Sequence, residues 1–490
     1  MVISLLLLIL IGAWVLWKRT TDGLLKYDLL IAWGIKLAAG GLFLVVYSEY
    51  YGFGTLTADP AAFMRESALL NHVAYESVAD YLKFLAGMET PQMIEHYLST
   101  TTHWSSGDLT LINDSKNVIR VNSLLYFLSN GNVYLHVVVF GFLSLLGFRE
   151  LYLTFSNVVS FPKRRFWYAL ILFPSLVFWT GSMLKEPLMI VGLCLVLRAW
   201  FGDLGNAGRV WRWVLGFILL IAFKPYVLMC LLPAIILYIL AVKVFKKRVW
   251  LAFSVLMAVF TAVVLFLPVP REKAVFYLTR KQFDFINIGK GGIHAYSDSC
   301  FYFFRPDQFK YLSITEADSV FLKRPLHAKK VALGKALPFE DVTLKPNKEA
   351  WFMYYRSDGC ASYIPVTAIG SSSSQLVKNI PEALTNAAFR PFFGDSGGWL
   401  KYFAIVETIV LFGWVLYAFS FWKSATTETR LRVVTLIFFA VCLLLLIGWI
   451  TPVLGAMVRY RIPAYLAIFV AAALLYRKTK STDTWEKLPS

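Results

Sequence analysis

Three carboxylates stand close together after the second apolar run: Glu49, Asp59 and Glu66. A carboxylate near a membrane surface can take a proton from an attacking hydroxyl, which is general base catalysis. Asp59 precedes Pro60 where a helical pattern starts, so it also suits a helix cap. Glu186 is a further candidate acid or base. The cations that would partner such groups are few, and they sit at the ends of apolar runs. Lys185 follows Gly181 and leads into Pro187, Lys224 precedes Pro225, and Arg390 precedes Pro391. Arg459 and Arg461 flank Tyr460 ahead of Pro463. Guanidinium groups bind phosphate oxygens in pairs and ammonium groups add point charge, so the set fits a phosphate carried on a lipid. For any one of them alone, snorkelling at a helix end is the plainer role. Lys36 and Glu407 fall inside apolar runs, where a charge costs at least about 2.5–3.5 kcal/mol and calls for a function or a polar partner.

The elements that must position these groups are apolar helices. Of 490 residues, 58% are hydrophobic, above the roughly 45–50% of soluble proteins. The excess falls in blocks near 2–17, 28–47, 131–148, 166–181, 187–201, 212–223, 225–242, 249–268, 400–421, 432–450 and 462–476. Such blocks approach the length a helix needs to cross a hydrocarbon core of about 30 Å. Trp17, Trp167, Trp211, Trp250, Trp422 and Tyr476 lie at block ends, where amphipathic rings favour the headgroup layer. The expected fold is an all-α polytopic membrane protein with about eleven transmembrane helices. The short blocks 212–223 and 225–242 read as a hairpin with Lys224 at its tip.

Charge sets the expected sidedness. The first run has no cation before it and Lys18 and Arg19 after it, which suits an uncleaved span with its N-terminus outside. Lys and Arg then crowd alternate connections, around Arg149 and Lys163–Arg165, Arg198–Arg212, Lys243–Arg248, Lys423–Arg432 and the tail. The positive-inside rule makes those cytoplasmic, so the net charge of +18 reports topology, and no nucleic-acid partner is expected. The expected domains are 1–47 (two spans), 48–130 (an extracytoplasmic loop with interfacial helices), and 131–268 (spans three to eight). There follow 269–399 (a small extracytoplasmic α+β domain before the ninth span), 400–476 (the last three spans) and 477–490 (a cytoplasmic tail). Within the first loop, Phe63, Leu69, Leu70, Val73, Val78, Tyr81, Leu82 and Phe84 form an apolar stripe fit to lie along a membrane surface. Strands are expected within 341–369 and an interfacial helix over 380–393.

Cys194, Cys230 and Cys442 fall in spans as apolar fillers. Cys300 and Cys360 share the outer domain and pair as a disulfide if that side is oxidising. No spacing suits zinc, and neither a metal nor another cofactor is indicated.

Lys36, Tyr50, Tyr51, Asp59 and Phe63 together resemble the opening segment of GT-C-superfamily membrane glycosyltransferases and related proteins of bacterial polysaccharide assembly. Phe173, Pro174, Ser175, Trp179, Thr180, Gly181, Lys185 and Glu186 resemble a recurring middle segment of that group. Met457, Val458, Arg459, Tyr460, Arg461 and Pro463 resemble the start of its final helix. The chain departs from the group's usual pair of adjacent acids, since Pro60 follows Asp59. The resemblance implies an enzyme of the bacterial cytoplasmic membrane acting at its outer face on a polyprenyl-phosphate-linked sugar, with membrane lipids around it. Asp59 would deprotonate an acceptor hydroxyl, and Arg459, Arg461, Lys185 or Lys224 would stabilise the departing polyprenyl phosphate. A polysaccharide polymerase or ligase would use the same cations. A lipid-linked-glycan transporter or a non-enzymatic envelope subunit is the alternative outside enzymes; a transporter would carry internal repeats and a polar lining, neither of which is evident.

Overall fold

In the computed structural model, residues 2–104, 113–244, 249–297, 300–315, 319–332, 340–346, 351–357, 359–369 and 373–477 are described. The first helices are α1 (Val2–Lys18), α2 (Lys26–Val45), α3 (Ala58–Glu76), α4 (Val78–Ala86), α5 (Pro91–Leu98) and α6 (Asp114–Ser129). Next come α7 (Val133–Phe155), α8 (Lys163–Ile171), α9 (Pro174–Thr180), α10 (Glu186–Phe201), α11 (Asn206–Phe223) and α12 (Pro225–Lys243). The remainder are α13 (Val249–Phe266), α14 (Pro268–Lys290), α15 (Ser373–Lys378), α16 (Ile380–Phe389), α17 (Lys401–Phe419), α18 (Thr427–Ile450), α19 (Leu454–Tyr460) and α20 (Ile462–Leu475). The chain forms two compact units, one of Met1–Leu232, Gly413–Leu436 and Leu466–Ser490, the other of Pro233–Phe412 and Ile437–Tyr465.

Among the described residues, six helices are long and apolar enough to cross a membrane: α2 with its π-turn extension (Lys26–Tyr50), α7, α11, α12, α17 and α18. The pair α19 and α20, bent by 48°, makes a seventh if it counts as one span. The chain is thus a mostly helical membrane protein, and the expectation of eleven spans is corrected. The block at 166–181 is two short helices, α8 and α9, parted where Pro174 cannot continue the ladder. The block at 187–201 is the sixteen-residue α10. Leu188, Met189, Ile190, Leu193, Val196 and Leu197 are all buried on it, so its apolar circumference packs against protein. Helix α1 and the Phe253–Val263 part of α13 are shorter apolar helices. At Lys224 the backbone leaves helical geometry, with φ −155° and ψ 70°, so α11 and α12 are separate helices.

In the first unit, small residues bring helices together. A side chain at Gly192 would strike the Gly216 carbonyl at 3.0 Å, and one at Gly216 would strike Val196 at 2.7 Å, so α10 and α11 touch through their backbones. Helix α6 starts at Asn113, whose side chain accepts from the Ser115 and Lys116 amides at 3.1 Å each, satisfying donors that a helix start leaves open. It lies against α3, pinned by Ser67 Oγ to Ile119 O at 3.1 Å and Asn71 Nδ2 to Ser123 O at 3.0 Å. Phe63, Leu70, Val73, Tyr81 and Phe84 are buried there with Phe43 and Trp104. Most of the stripe expected along a membrane surface therefore faces inward; Val78 and Leu82 stay exposed. Glu66 accepts the Thr102 amide at 2.9 Å and lies 3.0 Å from His103 Nδ1, which fixes the turn after α5.

The second unit carries a seven-stranded sheet. Its strands are β1 (Gly292–Ser297), β2 (Cys300–Phe304), β3 (Leu312–Ile314), β4 (Ser319–Leu322), β5 (Leu326–Ala332), β6 (Glu340–Leu344) and β7 (Trp351–Ser357). All pairings are antiparallel, in the order β3-β4-β7-β1-β2-β5-β6. Ile293, Ala295, Tyr302, Phe304, Val320, Leu326 and Ala328 form its core, following the period-two alternation of strands with one buried face. Strands thus begin well before 341, and the 23-residue α14 precedes them. Gln282 on α14 donates to Thr367 O and Trp449 O at 3.0 and 2.8 Å and accepts from the Ile369 amide at 2.7 Å. The helix expected over 380–393 is α16 and ends at Phe389.

The expected Cys300–Cys360 disulfide is corrected: both thiols are free. Cys300 opposes Ser297 at one end of β1, whereas the Cys360 amide bonds Gly289 O just before the other end. Six extended residues, roughly 20 Å, lie between those ends, and a disulfide needs Cα atoms within about 7 Å.

Candidate functional site

The first unit gathers three of the expected site residues around the starts of α6 and α10. Lys185 ends the turn after α9, and a side chain at Gly181 in that turn would meet the Gly40 amide of α2 at 3.1 Å. From there the Lys185 ammonium lies 2.9 Å from Asp114 Oδ1 and donates to Ser115 Oγ at 2.8 Å. Its Nζ stands 5.7 Å from the centre of the Phe63 ring on α3. Lys224, in the break between α11 and α12, reaches Glu186 Oε1 at 3.6 Å. Lys224 and Glu186 are almost wholly buried, at 4% and 1% side-chain exposure, and Asp114 keeps 35%.

Asp59 joins this group from α3. The N-cap of α3 is Thr57 and Asp59 lies in the first turn, so Asp59 is not the cap. The approach to it is bent: Phe53 and Ala58 both hold positive φ, 49° and 56°, a region that costs non-glycine residues energy. A π turn at Val46–Tyr50 ends α2, and the Thr57 amide returns to Tyr47 O at 3.2 Å. Burial lowers the Lys185 ammonium from its ordinary value, while Asp114 and, more weakly, half-buried Asp59 favour its charge. Burial raises the Asp114 carboxyl, but Lys185 and Lys224 outweigh it and hold the group below its ordinary value. The result is a compact set of Asp59, Asp114, Glu186, Lys185 and Lys224.

Asp114 and Ser115 were not among the expected site residues. The signal available was the Asn113, Asp114, Ser115 run ahead of an apolar stretch, a helix-start composition. Glu49 is exposed on the π turn and accepts from Ser48 Oγ at 3.0 Å; no described contact joins it to the set.

Lys36 is buried in α2, where it donates to Thr180 Oγ1 and lies 4.6 Å from the Phe148 ring centre. A hydroxyl and a ring face are the polar partners that a charge in an apolar run calls for.

The three arginines belong to the second unit. Arg461 is fully buried and donates to Ala387 O at 3.3 Å, to Thr408 Oγ1 at 3.1 Å and to Arg390 O. Glu407 is buried on α17. Arg390 pairs with Asp395 and donates to Asn386 Oδ1 at 2.8 Å. Half-buried Arg459 lies 5.2 Å from the Tyr460 ring centre. Arg461, between α19 and α20, therefore ties that bend to α16 and α17 with its own N–H groups. Among the described residues, no three His, Cys, Asp or Glu side chains gather as a metal site would require.

No protein-family model, curated protein or solved structure matches the chain.

Proposed function

We propose that this protein is a membrane glycosyltransferase of the GT-C type, which transfers a sugar from a polyprenyl-phosphate carrier at the outer face of a bacterial cytoplasmic membrane. In this reading the N-terminus is outside and the C-terminus cytoplasmic. The observation that supports it is the grouping of two buried ammonium groups, Lys185 and Lys224, around the Asp114 carboxylate, with half-buried Asp59 near Lys185, at the ends of apolar helices.

The reaction assigns each a task. The acceptor hydroxyl gives its proton to Asp59 as its oxygen bonds to the anomeric carbon from the face opposite the phosphate. The bond from that carbon to the phosphate oxygen breaks, and its electron pair leaves with the polyprenyl phosphate. Lys185 and Lys224 offset the growing negative charge, and Asp114 and Glu186 hold those ammonium groups in place beforehand. The anomeric centre is inverted. Arg461, committed to carbonyl oxygens, is left out of the phosphate-binding set, which is Lys185 and Lys224.

Purified protein given radiolabelled polyprenyl-phosphate sugar and a mixture of acceptor glycans tests the reading. Label moves to the acceptor in step with release of free polyprenyl phosphate. Transfer no faster than the lipid-only control would remove it.

A further inference from the structure

A second group of reactive side chains lies where α6 turns into α7. His136 sits one turn inside α7, a helix apolar enough to cross a membrane, where an ionisable side chain calls for a task. Its Nδ1 lies 2.7 Å from Asn122 Oδ1 and its Nε2 lies 2.8 Å from Ser129 Oγ. The Asn122 amide is pinned from its other side, since Nδ2 donates to Val118 O at 3.0 Å. Oδ1 is thereby left to face the ring as an acceptor, which puts the imidazole proton on Nδ1. Nε2 then carries a lone pair, and the Ser129 hydroxyl donates to it.

A hydroxyl bonded to a base, with the base held by a third group, is the arrangement that activates a serine. The three run from the surface inward: Ser129 keeps 3% exposure, and His136 and Asn122 keep none. The corner itself closes without them, through the Asn130 amide to Tyr126 O at 2.8 Å and the Asn132 amide to Ser129 O at 3.0 Å. Two donors flank Oγ. The Gly131 amide donates to it at 3.3 Å, and the Tyr126 hydroxyl stands 2.8 Å from where a side chain at Gly131 would begin. Such donors suit the oxygen that turns negative when Oγ attacks a carbonyl.

The surroundings select the substrate. Among the described residues, no group bonded to Ser129, His136 or Asn122 is charged, whereas a phosphoryl group needs cations on its oxygens. An uncharged carbonyl is the better match. Leu124, Phe127 and Leu128 of α6 and Tyr134 of α7 are exposed beside the serine, an apolar surface that favours a hydrocarbon chain.

We propose that Ser129 and His136 form a second catalytic site, with Asn122 as positioning residue, which hydrolyses carboxylic esters of long apolar acyl chains. Ser129 Oγ bonds to the carbonyl carbon as its proton passes to His136 Nε2. The bond from that carbon to the alcohol oxygen breaks, and the oxygen leaves with the electron pair and takes the proton from Nε2. Water then attacks the acyl carbon, gives a proton to Nε2, and frees the acid as Ser129 recovers its hydrogen. The site does not rest on the transferase reading.

The test uses the full chain in phosphatidylcholine nanodiscs and a long-chain alkyl fluorophosphonate. The probe attaches to Ser129, located by peptide mass, and not to the Ser129→Ala variant. His136→Gln slows labelling at least about 100-fold, the scale of lost general base catalysis, without lowering the melting temperature to the assay range. Asn122→Leu also slows it, and Asn122→Asp, which keeps an acceptor for Nδ1–H, restores most of the rate. Added p-nitrophenyl decanoate and the nanodisc lipid are the two ester sources, and fatty acid release from either supports the proposal and says which is used. Failure of the native protein to label at Ser129, labelling unaffected by His136→Gln, release from neither ester above the Ser129→Ala background, or equal turnover of p-nitrophenyl acetate would each overturn it.

Discussion

The Lys185 ammonium lies 2.9 Å from the Asp114 carboxylate and thereby joins the start of α10 to the start of α6. Lys185 is mostly buried at 11% exposure, so removing one partner strands a charge. Asp114→Asn or Lys185→Met alone is expected to cost about 2–4 kcal/mol, and the double variant less than the sum. Thermal melting in detergent measures all three, and strict additivity would show that the pair is not coupled.

Asp59→Asn keeps the size of the side chain and removes the base. Turnover falls by at least about 100-fold, the usual scale for general base catalysis, while affinity for polyprenyl phosphate stays within about twofold. Single-turnover assays and lipid titration separate the two. A fully active variant would leave Asp59 as a first-turn carboxylate only.

Lys224→Met and Arg461→Gln should part company. Lys224→Met weakens polyprenyl-phosphate binding by about tenfold. Arg461→Gln lowers the melting temperature, because Ala387 O and Arg390 O lose their donor, at a cost of about 2–3 kcal/mol. Below its melting point this variant binds lipid phosphate normally. A large loss of affinity in a folded Arg461→Gln protein would restore the arginine to the phosphate site.

His294 makes the sheet acid-sensitive. Burial pushes its imidazole down to about 4, and Nε2 lies 3.1 Å from Asn287 Nδ2, a contact that uses the neutral ring as acceptor. The unfolded chain takes up this proton near its ordinary value of 6.5, the folded chain only near 4. Stability is therefore full above pH 6.5 and is lost on acidification to 4, by at most about 3 kcal/mol. His294→Gln flattens that part of the profile. Melting curves from pH 7 to 4 check it, and an unchanged slope in the variant would count against the assignment.

Cys300 and Cys360 react with a maleimide in unfolded protein without prior reduction, and reductant leaves the melting temperature unchanged. Protection of both thiols until reduction would contradict the free pair.

Much of this was legible in the residues. Long apolar runs announced α2, α7, α17 and α18, because hydropathy and length are local properties. Residue type and helix-end position singled out Lys185, Glu186 and Lys224, which the first unit holds in ion pairs, but the same signal also selected Arg390, Arg459 and Arg461, which belong to the second unit. Three things were not legible. The depth of α10 depends on what surrounds it, and its apolar composition suits a buried helix as well as a lipid-facing one. Asp114 earns its place through Lys185, a partner that α6 meets only after folding. The strands before 341 alternate weakly: β2 reads Cys300, Phe301, Tyr302, Phe303, Phe304, apolar on both faces and so without a period-two signature. An arginine aimed at carbonyls, as Arg461 is, and one aimed at phosphate look alike in a sequence.

The order of strands in the sheet carries one more consequence. β7 is the last strand to leave the ribosome, yet it is seated between β4 and β1. A nascent chain that stops short of Trp351 can build the β3–β4 hairpin and the β1-β2-β5-β6 ribbon, but the strand that pairs with both is β7. Completion waits for a contact that spans more than fifty positions, Gly292 with Ser357, a slow kind of closure. Until then two β edges lie open, and any stall in synthesis near this point exposes them to neighbouring chains.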